Sequence, residues 1–182
     1  MSISFLAVGT STPAVNGGSV TIDSSGADLL VAFVSSYSLG PLITPAENKG
    51  NGTPTSTPAS VTQSEITGGS FAQLWFWPGP VTVGSGHQFD FLGTGVYGCG
   101  TIMALSGTKA VSPNDQGNGA VQTSGSTTLQ AGSITPSEDN CVVIAGLSIG
   151  VQAFPFAATI DSGFTLFSSV AFNPGIAEGY GI

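Results

Sequence analysis

The chain has 182 residues, of which only 7% are charged, and two lysines against ten carboxylates leave a net charge of -8. Nucleic acid and anionic membrane surfaces are excluded as partners, because both are bound through clusters of Lys and Arg, and this chain has only Lys49 and Lys109, far apart. Disorder of the whole is excluded too, since 41% of the residues are hydrophobic and the mean hydropathy is +0.35. The length suits one core, so residues 1–182 are expected to form a single domain with a neutral surface of Ser, Thr, Asn, Gln and Gly.

Ile3 to Val8 is a short apolar run closed by Gly9-Thr10-Ser11-Thr12-Pro13, which predicts a strand and a loop. Ser19 to Asp23 and Asp28 to Ser35 follow across a Ser/Gly turn and predict a hairpin. Residues 36–58, with four prolines, predict a long loop with little regular structure. Further strands are expected at Ser60 to Thr67, Phe71 to Trp77, Val81 to Val83, Gln88 to Leu92 and Val96 to Leu105, each break marked by Gly or Pro. After a second polar loop over 107–126 come Leu129 to Thr135, Cys141 to Ile149, Phe156 to Ile160, Phe164 to Phe172 and Ile176 to Ile182. The stretch from Gly132 to Ser148 echoes that from Gly18 to Ser35, with Gly-Ser-Ile-Thr matching Gly-Ser-Val-Thr and Val142-Val143-Ile144-Ala145 matching Leu29-Leu30-Val31-Ala32. Two such hairpin-like units suggest a sandwich whose halves echo each other, with Leu30, Ala32, Val34, Val143, Ala145 and Leu147 sharing inward positions by strand alternation. No window shows a capped helical period. The expected fold is all-β, a two-sheet antiparallel β-sandwich of jelly-roll kind.

Motifs for chemistry are sparse. Gly146-Leu147-Ser148-Ile149-Gly150 matches the G-x-S-x-G elbow, but a helix must follow the serine and the sequence continues VQAFPFAATI. The sole histidine, His87, sits in GSGHQF and reads as an unpaired residue of a surface turn. Asp23, Asp28, Glu138, Asp139 and Asp161 fall at predicted turns and strand ends, where short polar side chains bond their own backbone. Asn114-Asp115-Gln116-Gly117-Asn118-Gly119 crowds oxygens as a calcium loop does, without the spacing of an EF-hand. Asn51-Gly52-Thr53 fits the glycosylation pattern, which matters only on a secretory route. Cys99 and Cys141 are expected to be free thiols, and no motif calls for a metal or cofactor. Trp75 and Trp77 share one face of their strand, either as filling between two sheets or, if exposed, as a stacking surface for sugar rings together with Tyr37 and Tyr97.

The order of features resembles a known group of domains. GSVTIDSSGADLLVAFVS is followed by Trp75-x-x-Pro78, by ALSG at 104–107, by SGFTLF at 162–167 and by GIAEGYGI at 175–182. This resembles the β-sandwich domains of structural and tail-associated proteins of tailed bacteriophages, including capsid decoration, tail fibre and adhesin modules. The resemblance implies scaffold and display, with no catalytic residues, and further residues after Ile182 would be expected to complete the last strand. The expectation is therefore a non-enzymatic virion component, made in the host cytoplasm without a signal peptide. It would partner copies of itself as a homo-oligomer and other virion proteins. The alternative is a carbohydrate-binding or adhesin module whose ligand is a surface glycan; an enzyme ranks third.

Overall fold

The computed structural model describes residues 2–37, 43–56, 70–77, 79–109, 112–120, 128, 130–149, 159–160, 163–170 and 175–181. Every regular element among them is a strand: β1 (Ser4–Thr10), β2 (Ala14–Ile22), β3 (Leu29–Tyr37), β4 (Ala46–Glu47), β5 (Thr55–Ser56), β6 (Ser70–Trp77), β7 (His87–Ser106), β8 (Val143–Ile149), β9 (Thr165–Val170) and β10 (Gly175–Gly181). All pairings among the described residues are antiparallel.

The twenty residues of β7 organise the molecule. One edge carries β1 along 101–106 and β2 along 87–98; the other carries β3 along 97–105 and β4 at 89–90. The sheet continues from β3 to β6 and β5. A flat strand of this length would reach roughly 66 Å, so in a small protein it has to bend. The glycines of FLGTGVYGCG supply the bend by leaving room on its concave side. A methyl on Gly100 would lie 2.4 Å from the Phe91 ring, and one on Gly98 2.4 Å from Ile43. Phe89 and Phe91 from the first half of β7 thus fold over Ile102 and Ala104 from its second half. They share one core cluster with Leu30, Ala32 and Val34 of β3 and with Trp77. The result is a curled antiparallel sheet wrapped around its own concave face.

The opposite face of β3 and β7 presents Leu29, Val31, Met103 and Leu105, against which Ile144 of β8 packs. Gly146 lies flat over the Phe33 ring and the Ser148 hydroxyl bonds Ser35, so β8 rests on this outer face. Strands β8, β10 and β9 form a separate three-stranded sheet.

Several expected elements differ. Gln88 to Leu92 and Val96 to Leu105 are one bent strand, because the glycines between them relax the backbone without ending the ladder. The stretch from Ser19 to Ser35 is not a hairpin: β7 lies between β2 and β3 and pairs with both. Residues 132–135 form no strand, so the second hairpin is absent as well. Leu30, Ala32 and Val34 point into the core as alternation requires, but the residues of β8 that face the main sheet are Ile144, Gly146 and Ser148 rather than Val143, Ala145 and Leu147. Val81 to Val83 has no strand pairing, nor do the described residues of the stretch from Leu129 to Thr135. The proline-rich region 36–58 contributes the two short strands β4 and β5. Ser60 to Thr67 and most of Phe156 to Ile160 lie outside the described residues.

Candidate functional site

The most chemically loaded cluster joins three segments distant in sequence. His87 opens β7, Ser24 sits in the turn after β2, and Glu47 ends β4. The His87 ring stacks on Phe89, with centroids 4.1 Å apart and planes at 29°. Its Nδ1 lies 2.8 Å from Ser24 Oγ and its Nε2 lies 2.9 Å from Glu47 Oε2. Ser24 is pinned in turn: its Oγ accepts the Gly84 N–H at 3.0 Å and its own N–H donates to Gly84 O at 3.1 Å. The Glu47 carboxylate also accepts the backbone N–H of Lys49 and, at 2.6 Å, that of Asn51. His87 is 0% exposed and the Glu47 side chain 2%.

His87 is therefore not the unpaired surface residue expected of GSGHQF. Its partners lie 63 and 40 residues away, beyond any local pattern. Burial pushes the imidazole below its ordinary value of 6.5, and the facing Glu47 offsets part of that push. For Glu47 burial acts upward, but the N–H groups of Lys49 and Asn51 and the His87 ring outweigh it and hold the carboxyl below its ordinary range. Near neutral pH these directions assign a neutral imidazole that donates Nε2–H to the carboxylate and accepts the Ser24 hydroxyl at Nδ1.

The connectivity is that of a Ser-His-carboxylate triad. Exposure separates it from a working one: Ser24 is fully buried and committed to Gly84, so no substrate carbonyl can approach its oxygen. Ser148 of the G-x-S-x-G match stands within β8 and bonds the Ser35 hydroxyl.

Of the four aromatic residues considered as a sugar platform, Tyr37 and Tyr97 stand opposite each other across the β3–β7 ladder, whereas Trp75 and Trp77 belong to the concave core cluster. Trp77 is 0% exposed, donates from Nε1 to Gly52 O at 3.1 Å and meets Phe89 edge-on at 5.6 Å. Trp75 is half-buried at the margin of the same cluster. Tyr97 is 41% exposed, opposite the exposed Val15 across the β2–β7 ladder, with exposed Leu92 farther along it. Tyr37 ends β3, and its side chain lies outside the described residues.

A cleft of about 1010 Å³ opens on the outer face of the main sheet. Leu29, Val31, Phe33, Leu74 and Phe76 line its floor, and polar residues of 112–119 and 137–140 form its rim. The suspected calcium loop lies here, and the side-chain oxygens of its Asp115 and Asn118 are engaged, that of Asn118 by the Gly119 N–H. Asp115 accepts the N–H and hydroxyl of Ser137, which lower its pKa, and Asn118 bonds Ser133. Among the described residues no group of three His, Cys, Asp or Glu side chains is placed to hold a metal ion. Cys99 is buried, Cys141 is half-buried, and the two are not joined in a disulfide. Asn51, of the glycosylation pattern, bonds Thr82 through both ends of its amide. Among the described residues no helix is long and apolar enough to cross a membrane.

No family model, no curated protein and no solved structure matches this chain.

Proposed function

We propose that the chain is a non-enzymatic structural component of a bacteriophage particle, such as a capsid decoration, fibre or tail-associated protein. In this reading it is a two-sheet, jelly-roll-like sandwich that assembles with copies of itself and with other virion proteins. The observation that carries it is the strip formed by β1 and β2. No charged side chain precedes Asp23, and Leu6, Val8 and Val15 on this strip are exposed, with Leu92 and Tyr97 beside it on β7. An edge left alone in solution is usually guarded by charged side chains, Pro or bulges; here Pro13 and the register shifts at Phe5/Ala7 and Val15/Gly17 interrupt it, but no charge does. Neutral surface with exposed apolar and aromatic side chains suits burial against another protein. The sealed Ser24 hydroxyl supports a non-enzymatic role. The test is mass spectrometry of purified particles from a lysate that expresses the protein: its recovery in particles supports the reading, and its absence from them overturns it.

The alternative, a carbohydrate-binding or adhesin module, is favoured by the outer cleft, whose apolar floor and amide-rich rim suit a neutral sugar, and no longer by the Trp pair. Glycan-array binding that disappears in Phe76→Ala but persists in Tyr97→Ala would support it.

A further inference from the structure

The Ser24, His87 and Glu47 cluster has one geometric feature that a simple buried pin does not need. Ser24 Oγ lies within reach of three partners: His87 Nδ1 at 2.8 Å, the Gly84 N–H at 3.0 Å and the Gly84 carbonyl at 3.3 Å. A serine hydroxyl is one donor with two acceptor lone pairs. With His87 neutral, the hydroxyl donates to Nδ1 and accepts from Gly84 N–H. With a proton added to Nδ1, the same oxygen accepts that N–H, still accepts from Gly84, and turns its own hydrogen onto the Gly84 carbonyl. On the other side of the ring nothing changes, because Nε2–H donates to Glu47 in both states.

We propose that Ser24, His87 and Glu47 form a two-stage acid clasp. It keeps every hydrogen bond when His87 takes up a proton, by reversal of the Ser24 hydroxyl, and it opens when Glu47 is protonated. The clasp joins the β2–β3 turn, the β4 segment and the loop before β7. Its opening would release residues 47–51, because the carboxylate that accepts the Lys49 and Asn51 amides is the group lost. Charged groups on the surrounding elements do not substitute for it. Lys49 turns its ammonium onto the Ser85 carbonyl at 3.0 Å. Asp23 holds Ser25, Asp28 holds Gly107 and Thr108, and Asp90 takes Ser19 and Gln88. Lys49 and burial both oppose the proton on His87, whereas Glu47 favours it, so the first stage falls below pH 6.5. The second falls below the ordinary glutamate range.

The experiment is an NMR titration of the full chain between pH 7 and 3.5, following the His87 ring nitrogens, the Glu47 carboxyl carbon and the exchange protection of the Lys49 and Asn51 amides. The expected result is a reversible His87 titration that leaves both amides protected, followed by loss of protection in step with Glu47. Protection lost together with the His87 titration would overturn the proposal, as would a His87 that stays neutral until the protein unfolds. Ser24→Ala removes the reversible hydroxyl. It should lower the His87 midpoint by on the order of one pH unit and make protection fall with it; an unchanged midpoint would count against the clasp. If that variant does not fold, the wild-type titration decides alone.

Discussion

Gly17 lies at φ 86°, and a methyl there would sit 1.8 Å from the Phe91 carbonyl oxygen, so both conformation and space demand glycine. Gly17→Ala is expected to cost at least about 2–3 kcal/mol in urea unfolding, since neither backbone can yield without breaking the β2–β7 ladder. Gly86 has a positive φ of 63° but nothing within 4 Å, and its alanine variant should lose only about 1 kcal/mol, the conformational part alone. The same contrast separates the carboxylates. Glu47→Ala leaves His87 and two backbone N–H groups without an acceptor in a buried site, and should cost about 2–4 kcal/mol. Glu138→Ala removes an exposed pair with Lys109 and should stay within about 0.5 kcal/mol. The pH dependence contributed by the buried cluster follows from its two depressed pKa values. Below pH 6.5 the unfolded chain binds a proton at its histidine more readily than the folded one, so stability falls as pH drops through that region. Glu47 adds a second loss as pH falls below 4.5 and through its lower folded value. Neither group changes stability between pH 7 and 9. Thermal melts across this range should show a plateau above neutrality and a decline toward acid, and a melting temperature that rises on acidification from pH 7 would contradict it.

At the scale of elements, what alternation controls was readable and what long-range pairing controls was not. The inward set Leu30, Ala32 and Val34 follows from period two, as does the shared face of Trp75 and Trp77. The identity of neighbours is a different matter. Ser19 to Ser35 has the turn chemistry of a hairpin, yet Asp28 N–H bonds Leu105 O and the Asp28 carboxylate holds Gly107 and Thr108, so the turn hands β3 to the far edge of β7. That choice is made by residues about 80 positions downstream. The clasp was illegible for the same reason, since nothing near GSGHQF announces Ser24 or Glu47. The glycines of β7 looked like strand breaks, whereas they permit a bend by admitting side chains from above. This gives a direct test in a double-mutant cycle. Gly100→Ala drives a methyl into the Phe91 ring and should cost about 1–3 kcal/mol, and Phe91→Ala about 3–5 kcal/mol. The double variant should be more stable than the sum implies, because the small side chain at 91 removes the clash at 100. Additive costs would mean that the two halves of β7 do not stack as described.

For the whole molecule the distribution of charge matters more than its total. The net charge of -8 should keep copies apart, yet all of it lies from Asp23 onward, so β1 and β2 bring no charge of their own to a contact between two molecules, and Asp23 and the Ser19-bonded Asp90 stand beside them. The exposed apolar side chains sit on the same strip, and main-chain groups at the free side of a strand offer hydrogen bonds to any further strand. A closed ring of identical subunits would bury both. The expected outcome in light scattering at micromolar concentration is an oligomer rather than a monomer. Val15 is the position that isolates this effect, because it is 53% exposed and a long polar side chain there meets solvent within one copy. Val15→Lys should leave the unfolding free energy within about 0.5 kcal/mol of the parent, while placing a charge on the neutral strip that a neighbour would have to bury. A shift to smaller species in Val15→Lys, with the melting curve unchanged, ties assembly to this strip. A parent protein that is already monomeric removes the self-association on which the assembly argument depends.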